Sequence, residues 1–413
     1  MERRVVITGL GAITPIGNQV DTFWNGIKEG NCGIGEITHF DTSDYKVKLA
    51  AEVKDYDPEN YFDRRNAKRL DQFSQFAIVA AREAWEDSRL DKEVENMERV
   101  GVILGSGIGG LGTIERENVV IQEKGPDRLS AMYIPMCIVN MAAGNVAIEL
   151  GAKGESICMV TACASGTHCI GESFRKIKYG YQDVIITGGT EASITPTGIA
   201  GFTNIKALTQ QTDPTRASIP FDKERSGFVM GEGAGVVILE ELEHAQKRGA
   251  KIYAEIIGYG ATSDAYHITS PDPDGQGAAR AMQLAIQEAN IEPETIEYIN
   301  AHGTSTHLND VCETSAVKLA FGEHSKQVMM SSTKGHTGHL LGAAGAIEAI
   351  VCVKGLEEGF VPATIHYQVP DEECDLDIVA NQGRKQTIQY AMSNSLGFGG
   401  HNASILLKKW NEK

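Results

Sequence analysis

Along the chain, short apolar runs alternate with segments whose apolar positions recur every three or four residues, and the alternation continues from end to end. It predicts strands layered against helices, an α/β protein. The strand-like runs are Val5 to Thr8, Val100 to Leu104, Ser156 to Val160, Val184 to Thr187, Val236 to Leu239, Ile252 to Ile257, Ile296 to Ala301, Val328 to Ser331, Ile388 to Ser393 and Ser404 to Leu407. After Cys163, residues Ile170, Phe174, Ile177 and Tyr181 are spaced by four, three and four, which predicts a helix with one buried stripe ending near Gly180. A second helix, Leu340 to Val353, is apolar or small nearly all round with Glu348 its only charge, so it belongs inside the protein. Each helix follows a strand and begins beside a chemically capable residue, Cys163 in one and His339 in the other. The chain reads as a duplicated α/β unit, residues 1–250 carrying the cysteine and 251–413 the histidines.

The 413 residues exceed the roughly 100 to 200 of a typical single core, which suits two halves. No apolar stretch reaches the ~18 residues of a membrane span. Met1-Glu2-Arg3-Arg4 runs straight into a strand without the apolar core of a secretory signal, so a cytoplasmic chain with no membrane partner is expected. Eight cysteines without a Cys-x-x-Cys pair read as reduced thiols. A net charge of -17 disfavours nucleic acid, and any acidic partner has to dock on a local basic patch.

Cys163 lies in Thr161-Ala162-Cys163-Ala164-Ser165-Gly166, where strand turns into helix. Unpaired N–H groups of a first helical turn, with the positive end of its dipole, favour thiolate over thiol, so a lowered pKa is expected. A lone cysteine is more often inert core. Here Ala162, Ala164 and Gly166 leave room for an acyl group beside the sulfur, a setting that Cys158 and Cys169 lack. His302, in Asn300-Ala301-His302-Gly303-Thr304-Ser305-Thr306, stands at the carboxyl end of a strand, where ligand sites of α/β sheets gather. His339, in Ser332-Thr333-Lys334-Gly335-His336-Thr337-Gly338-His339-Leu340, also follows a strand. Singly, each histidine reads as a hydrogen-bonded core residue. With the cysteine they describe a nucleophile served by two imidazole donors.

His336 and His339 have the spacing of a metal pair, but no third ligand is convincingly placed and no metal is expected. Glu348 on an apolar helix needs either a cation, for which Lys334 is the candidate, or a narrow solvent face. Gly105-Ser106-Gly107-Ile108-Gly109-Gly110 fits the dinucleotide pattern Gly-x-Gly-x-x-Gly. The acidic residue which that pattern requires about 20 positions on would be Asp127, in a polar turn rather than at a strand end. The glycines therefore read as close packing beside an acyl channel. No Gly-x-Ser-x-Gly elbow occurs, which removes the commonest serine hydrolase reading.

The segments Thr161 to Gly166, Asn300 to Thr306, Ser332 to Gly345 and Ser393 to Gly400 resemble the four signature regions of the elongating β-ketoacyl-acyl carrier protein synthases, type II most closely, and the likeness runs from Val5 to Asn402. The resemblance implies a thiolase-like fold, two related halves forming a five-layered αβαβα core, and a homodimer. It implies decarboxylative condensation of an acyl chain with a malonyl unit in fatty acid elongation, each carried on acyl carrier protein, with no cofactor because loss of carbon dioxide drives the reaction. Cys163 would be the acylated nucleophile. His302 and His339 would support decarboxylation and hold the malonyl thioester oxygen, with Lys334 and Glu348 as supporting charges. Phe398 would gate the site and give its backbone N–H, with that of Cys163, to the acyl oxyanion hole. Thr304 and Thr306 would bind the pantetheine arm, and Ile108 and Phe202 would wall the acyl pocket, with Ile134 contributed by the other subunit.

An acidic carrier protein meeting this acidic chain implies a local docking cluster. The densest basic segment is Asp63-Arg64-Arg65-Asn66-Ala67-Lys68-Arg69, where helical spacing predicts Arg65, Lys68 and Arg69 on one face, and Lys124, Arg128 and Lys206 are further candidates. Against the family pattern, His307 stands where proline is usual, Ile219 for a frequent arginine, Ser226 for a frequent aspartate and Val139 for a frequent proline. These bear on loop shape, subunit contacts and chain length. Chain-initiating synthases resemble a Cys, His, Asn set, degradative thiolases use a second cysteine, and noncatalytic chain-length partners lack the nucleophile. A polyketide ketosynthase would share the catalytic set and stays open.

Overall fold

All ten runs singled out above become strands of one eleven-stranded sheet. A computed structural model describes residues 3–411 apart from 92 and 94. In chain order the strands are β1 (Val5–Ile13), β2 (Val100–Gly105), β3 (Ser156–Met159), β4 (Val184–Glu191), β5 (Gly233–Glu241), β6 (Ala254–Ser263), β7 (Tyr298–Asn300), β8 (Met329–Ser331), β9 (Asp377–Ile378), β10 (Tyr390–Gly397) and β11 (His401–Lys409). The spatial order is β9-β8-β7-β10-β11-β6-β1-β5-β4-β2-β3.

The same arrangement occurs twice. β3-β2-β4-β5-β1 and β8-β7-β10-β11-β6 both run third, second, fourth, fifth, first, with parallel pairing among the first three positions and antiparallel pairing among the rest. The two blocks meet in a short antiparallel seam, Val5 opposite Ile256 and Ile7 opposite Ala254.

Helices α1 (Gln72–Ser88) and α2 (Met141–Leu150) cover the outer face of the first block. Helices α4 (Gln276–Ala289) and α5 (His307–Phe321) cover that of the second. Between the blocks lie α3 (Ser165–Lys178) and α6 (Ala344–Glu358), in a central core that joins residues of both halves. The result is the thiolase-like αβαβα layering, in which each sheet face buries apolar side chains against a helix.

Two helix boundaries differ from the expected ones. Ile170, Phe174 and Ile177 are buried, but α3 ends before Tyr181, which is 67% exposed. The segment after His339 first makes a 3-10 turn, Leu341–Ala343, and α6 then runs on to Glu358, where the left-handed Gly359 stops it. Its last turn adds Lys354, which pairs with both Glu357 and Glu358. Glu348 remains the charge within the buried stretch. Where α3 and α6 begin, a Cβ on Gly345 would lie 2.0 Å from Thr167 Oγ1, so only glycine lets the two helix starts touch. That contact brings together the segments that carry Cys163 and His339.

Candidate active site

Cys163 sits on a tight elbow between β3 and α3. Ala162 takes a left-handed φ of 50°, unusual for a residue with a side chain. Ser165 braces the turn, its Oγ accepting from the Thr161 N–H (2.9 Å) and donating to the Ala162 carbonyl (2.7 Å). The thiol is buried, and burial pushes it up to about 12. The Lys334 cation opposes that rise, the Glu191 carboxylate adds to it, and the backbone N–H groups of Phe398 and Cys163 oppose it. The expectation of a lowered pKa is therefore corrected, because enclosure outweighs the helix start. The two N–H groups at the sulfur are those expected to hold an acyl oxyanion. Burial likewise pushes Cys158 up to about 11 and Cys169 well above its ordinary value.

His302 follows β7 and His339 precedes the turn into α6, and both rings are buried. His302 Nδ1 and both nitrogens of His339 lack a partner among the described residues. Burial first, then Lys334, holds both imidazoles well below 6.5, and His339 lowers His302 further. Both are neutral near pH 7, so each ring has one N–H to donate and one nitrogen to accept.

Lys334 donates to Glu348 and to the His302 carbonyl. With Glu348 only 1% exposed, the solvent-face alternative is excluded and the ion-pair alternative holds. Burial raises the Glu348 carboxyl and Lys334 opposes it. His336 is no metal ligand: Nδ1 faces the Asn31 carbonyl (3.0 Å) and Nε2 that of Ala363 (3.3 Å).

Cys163, His302, His339, Phe398, Thr304 and Thr306 line one cavity of about 370 Å³. The hydroxyls of Thr304 and Thr306 bond each other at 2.8 Å. Phe202 lines the same cavity, its ring 6.2 Å from that of Phe398. Ile108 packs into the apolar cluster that contains Cys163. Ile134 is 58% exposed, away from this cavity.

Residues 2–245 match the β-ketoacyl synthase N-terminal domain and residues 253–368 the β-ketoacyl synthase C-terminal domain. The chain belongs to the β-ketoacyl synthase family. It is 52% identical over 410 residues to 3-oxoacyl-[acyl-carrier-protein] synthase 2 of Synechocystis sp., covering 99% of each chain. To the protein of the same name from Staphylococcus aureus (strain COL) it is 53% identical over 408 residues, again covering 99% of each. Among solved structures it resembles a ketosynthase–acyl carrier protein complex of a type II polyketide system bound to a hexaketide (TM-score 0.92, 34% identity, all of both chains). It also resembles a β-ketoacyl synthase from Burkholderia phymatum STM815 (TM-score 0.92, 32% identity, 99% of this chain and 100% of that one).

In this member of the family, Arg65, Lys68, Arg69, Lys124, Arg128 and Lys206 are all exposed, and Lys206 also borders the cavity. The helix expected to align the first three covers only Arg64–Ala67. Asp63 caps it, and Lys68 and Arg69 lie at and beyond its end, so the single helical face is formed only in part. His307 Nδ1 faces the Arg225 guanidinium at 3.2 Å, and Arg225 also bonds Asp371 (2.5 Å). His307, Asp371 and Glu373 are close enough for a metal ion, yet that cation already bonds two of the three. Ile219 is buried and its N–H donates to Ser305 Oγ, Ser226 bonds Thr209, and Val139 packs on Gly109.

Two buried carboxylates escaped the sequence reading. Glu313 on α5 accepts the N–H groups of His302 and Gly303, both at 2.8 Å, and burial pushes it up to about 7. Glu191, at the end of β4, binds the glycine run after β2. Each was legible by the logic applied to Glu348: Glu313 shares a helical stripe with Asp310 and Val317, all buried, and Glu191 closes a strand buried throughout.

Proposed function

We propose that this chain elongates fatty acyl chains by decarboxylative condensation through an acyl-cysteine intermediate. It is an acyltransferase of the condensing type, and acyl carrier protein is its partner. In the first stage Cys163 sulfur attacks the acyl thioester, a new C–S bond forms, and the carrier's thiol leaves with the proton. In the second, malonyl-acyl carrier protein loses carbon dioxide, and the resulting enolate oxygen takes hydrogen bonds from His302 and His339. The enolate carbon then attacks the acyl carbonyl, whose oxygen faces the N–H groups of Cys163 and Phe398. The C–S bond to Cys163 breaks, and the thiolate takes up one proton from solvent. Donors already in place in a dry site need no reorganisation as charge develops.

The observation that carries this reading is a buried cysteine sharing one cavity with two neutral histidines. Burial, and after it the Lys334 charge bonded to the His302 carbonyl, keeps those rings neutral, and the same charge opposes the rise that burial imposes on the Cys163 thiol. Thr304 and Thr306 are assigned to the pantetheine arm and Ile108 and Phe202 to the acyl wall. Incubation with a short acyl-acyl carrier protein should add one acyl mass to a peptide containing Cys163. Labelling of Cys158 or Cys169 in its place would defeat the proposal.

The same reading includes a chain divided near residue 250, which the repeated strand order supports. It includes a homodimer in which Ile134 reaches the partner's acyl pocket. The sheet ends at β3, and Ile134, Ile148 (78%) and Val160 (52%) stand exposed on the elements around that edge. A cytoplasmic location fits it as well: among the described residues no helix is long and apolar enough to cross a membrane.

A further inference from the structure

The Glu191 carboxylate is fully buried and accepts five hydrogen bonds from three segments of the chain. Oε2 takes the N–H groups of Gly107 (2.7 Å) and Gly342 (3.0 Å). Oε1 takes the Ile108 N–H (3.2 Å) and the hydroxyls of Ser106 (3.1 Å) and Ser193 (3.0 Å). Only glycine permits this approach: a Cβ on Gly107 would lie 2.8 Å from Oε2, and one on Gly342 2.3 Å from the Gly107 nitrogen. The run that resembles a nucleotide fingerprint is thus wrapped around an anion belonging to the protein itself. Burial raises the Glu191 carboxyl, while the Gly342 and Gly107 N–H groups and the two serines pull it back.

The segments it joins are those that matter to the chemistry. Ile108 packs in the cluster around Cys163, and Gly342 lies in the turn that follows His339. We infer that Glu191 is a positioning residue for the condensation, one oxygen clamping the cysteine's half to the histidine's half and the other fixing the Ile108 wall against which the acyl chain lies. This rests on the acyl-cysteine reading of Cys163. The carboxylate charge also works against the Cys163 thiolate.

The two oxygens can be separated by substitution. In Glu191→Gln, an amide oxygen at the Oε2 position keeps both glycine N–H bonds. The amide NH2 then meets two hydroxyls that can turn to accept and one backbone N–H, that of Ile108, that cannot. The substitution should loosen Ile108 while leaving the clamp closed, whereas Glu191→Ala opens both.

The test compares Cys163 acylation from butyryl and decanoyl pantetheine thioesters, together with the pH profile of Cys163 alkylation by iodoacetamide. For Glu191→Gln the ratio of the two acylation rates should change roughly tenfold, the scale on which small misfits act in apolar pockets. The alkylation profile should move to lower pH because a negative charge is gone. Ser106→Ala, which keeps the charge but removes one bond to Oε1, should change the acylation ratio in the same direction with the alkylation profile unmoved. Equal loss on both thioesters with an unmoved alkylation profile would reduce Glu191 to a structural residue, and an unchanged ratio in both variants would overturn the inference outright. Failure of the unsubstituted protein to acylate Cys163 at all would strike the acyl-cysteine reading in its place.

Discussion

The rings of His302 and His339 meet edge to face, with centroids 5.2 Å apart and planes at 84°. The contact leaves His302 Nδ1 and both His339 nitrogens without partners among the described residues, so donors remain for a substrate oxygen. His302→Ala or His339→Ala should slow decarboxylative condensation by about 100 to 1,000 fold, the usual cost of one lost oxyanion donor, while acyl transfer to Cys163 suffers less. Single-turnover acylation and steady-state carbon dioxide release measured side by side check this. Condensation within about threefold of the unsubstituted rate in both variants would be far too small a loss for a two-donor mechanism.

Both imidazoles are held well below 6.5 by burial and by Lys334. The unfolded chain takes up protons at these residues as pH drops through 6.5, whereas the native site refuses them until far lower pH. Their contribution to stability is therefore fully present above 6.5 and is lost as pH falls toward the depressed native values. Melting temperature should decline on acidification below 6.5, and the decline should be shallower in a His302→Asn, His339→Asn double variant. Identical slopes in the two proteins would count against neutral buried histidines.

The Lys334–Glu348 pair is buried on both sides, so removing one partner strands a charge. Glu348→Ala or Lys334→Ala should cost about 3 to 5 kcal/mol in denaturant unfolding, and the double substitution less than the sum of the two. Additive losses would mean that the two residues act independently. Lys334→Ala should also depress condensation, since the same ammonium holds the His302 carbonyl.

Carrier docking has to rely on local charge, because the whole chain is acidic. Lys68→Glu with Arg69→Glu should raise KM for acyl carrier protein substrates and spare turnover of a small pantetheine thioester, and added salt should weaken docking of the unsubstituted protein. Equal loss on both substrates would indicate a damaged site. Absence of loss on either would move the docking surface toward Lys206, which borders the cavity.

Much of the architecture was legible because its signals are local. Apolar runs of strand length, a helix without a polar face, and reactive residues directly after strands can each be read within about ten residues. The two histidines and Cys163 were readable by that route. Glu191 and Glu313 could be marked only as carboxylates in apolar surroundings, and their partners were out of reach, since these lie elsewhere in the chain: Glu191 binds Gly107 and Gly342, and Glu313 binds the backbone N–H groups of His302 and Gly303. The thiol pKa was misjudged for a related reason. A helix start is visible in sequence, whereas the enclosure that outweighs it is a property of the assembled layers. The basic segment showed a third limit, because charge spacing says nothing about where Asp63 starts and Lys68 ends so short a helix.

The repeated strand order makes this chain resemble two subunits welded end to end, with Cys163 on one and His302 and His339 on the other. Welding fixes their ratio at one to one and replaces a concentration-dependent encounter with a tethered one. The stretch between Lys247 and Ala254, which leads from the short helix Leu242–Lys247 after β5 into β6, the first strand of the next block, is then a tether whose integrity matters less than the contact it secures. A chain cut there and co-expressed as two pieces should regain condensation in proportion to how well the fragments reassociate, and dilution should abolish in the nicked protein an activity that it leaves untouched in the intact one.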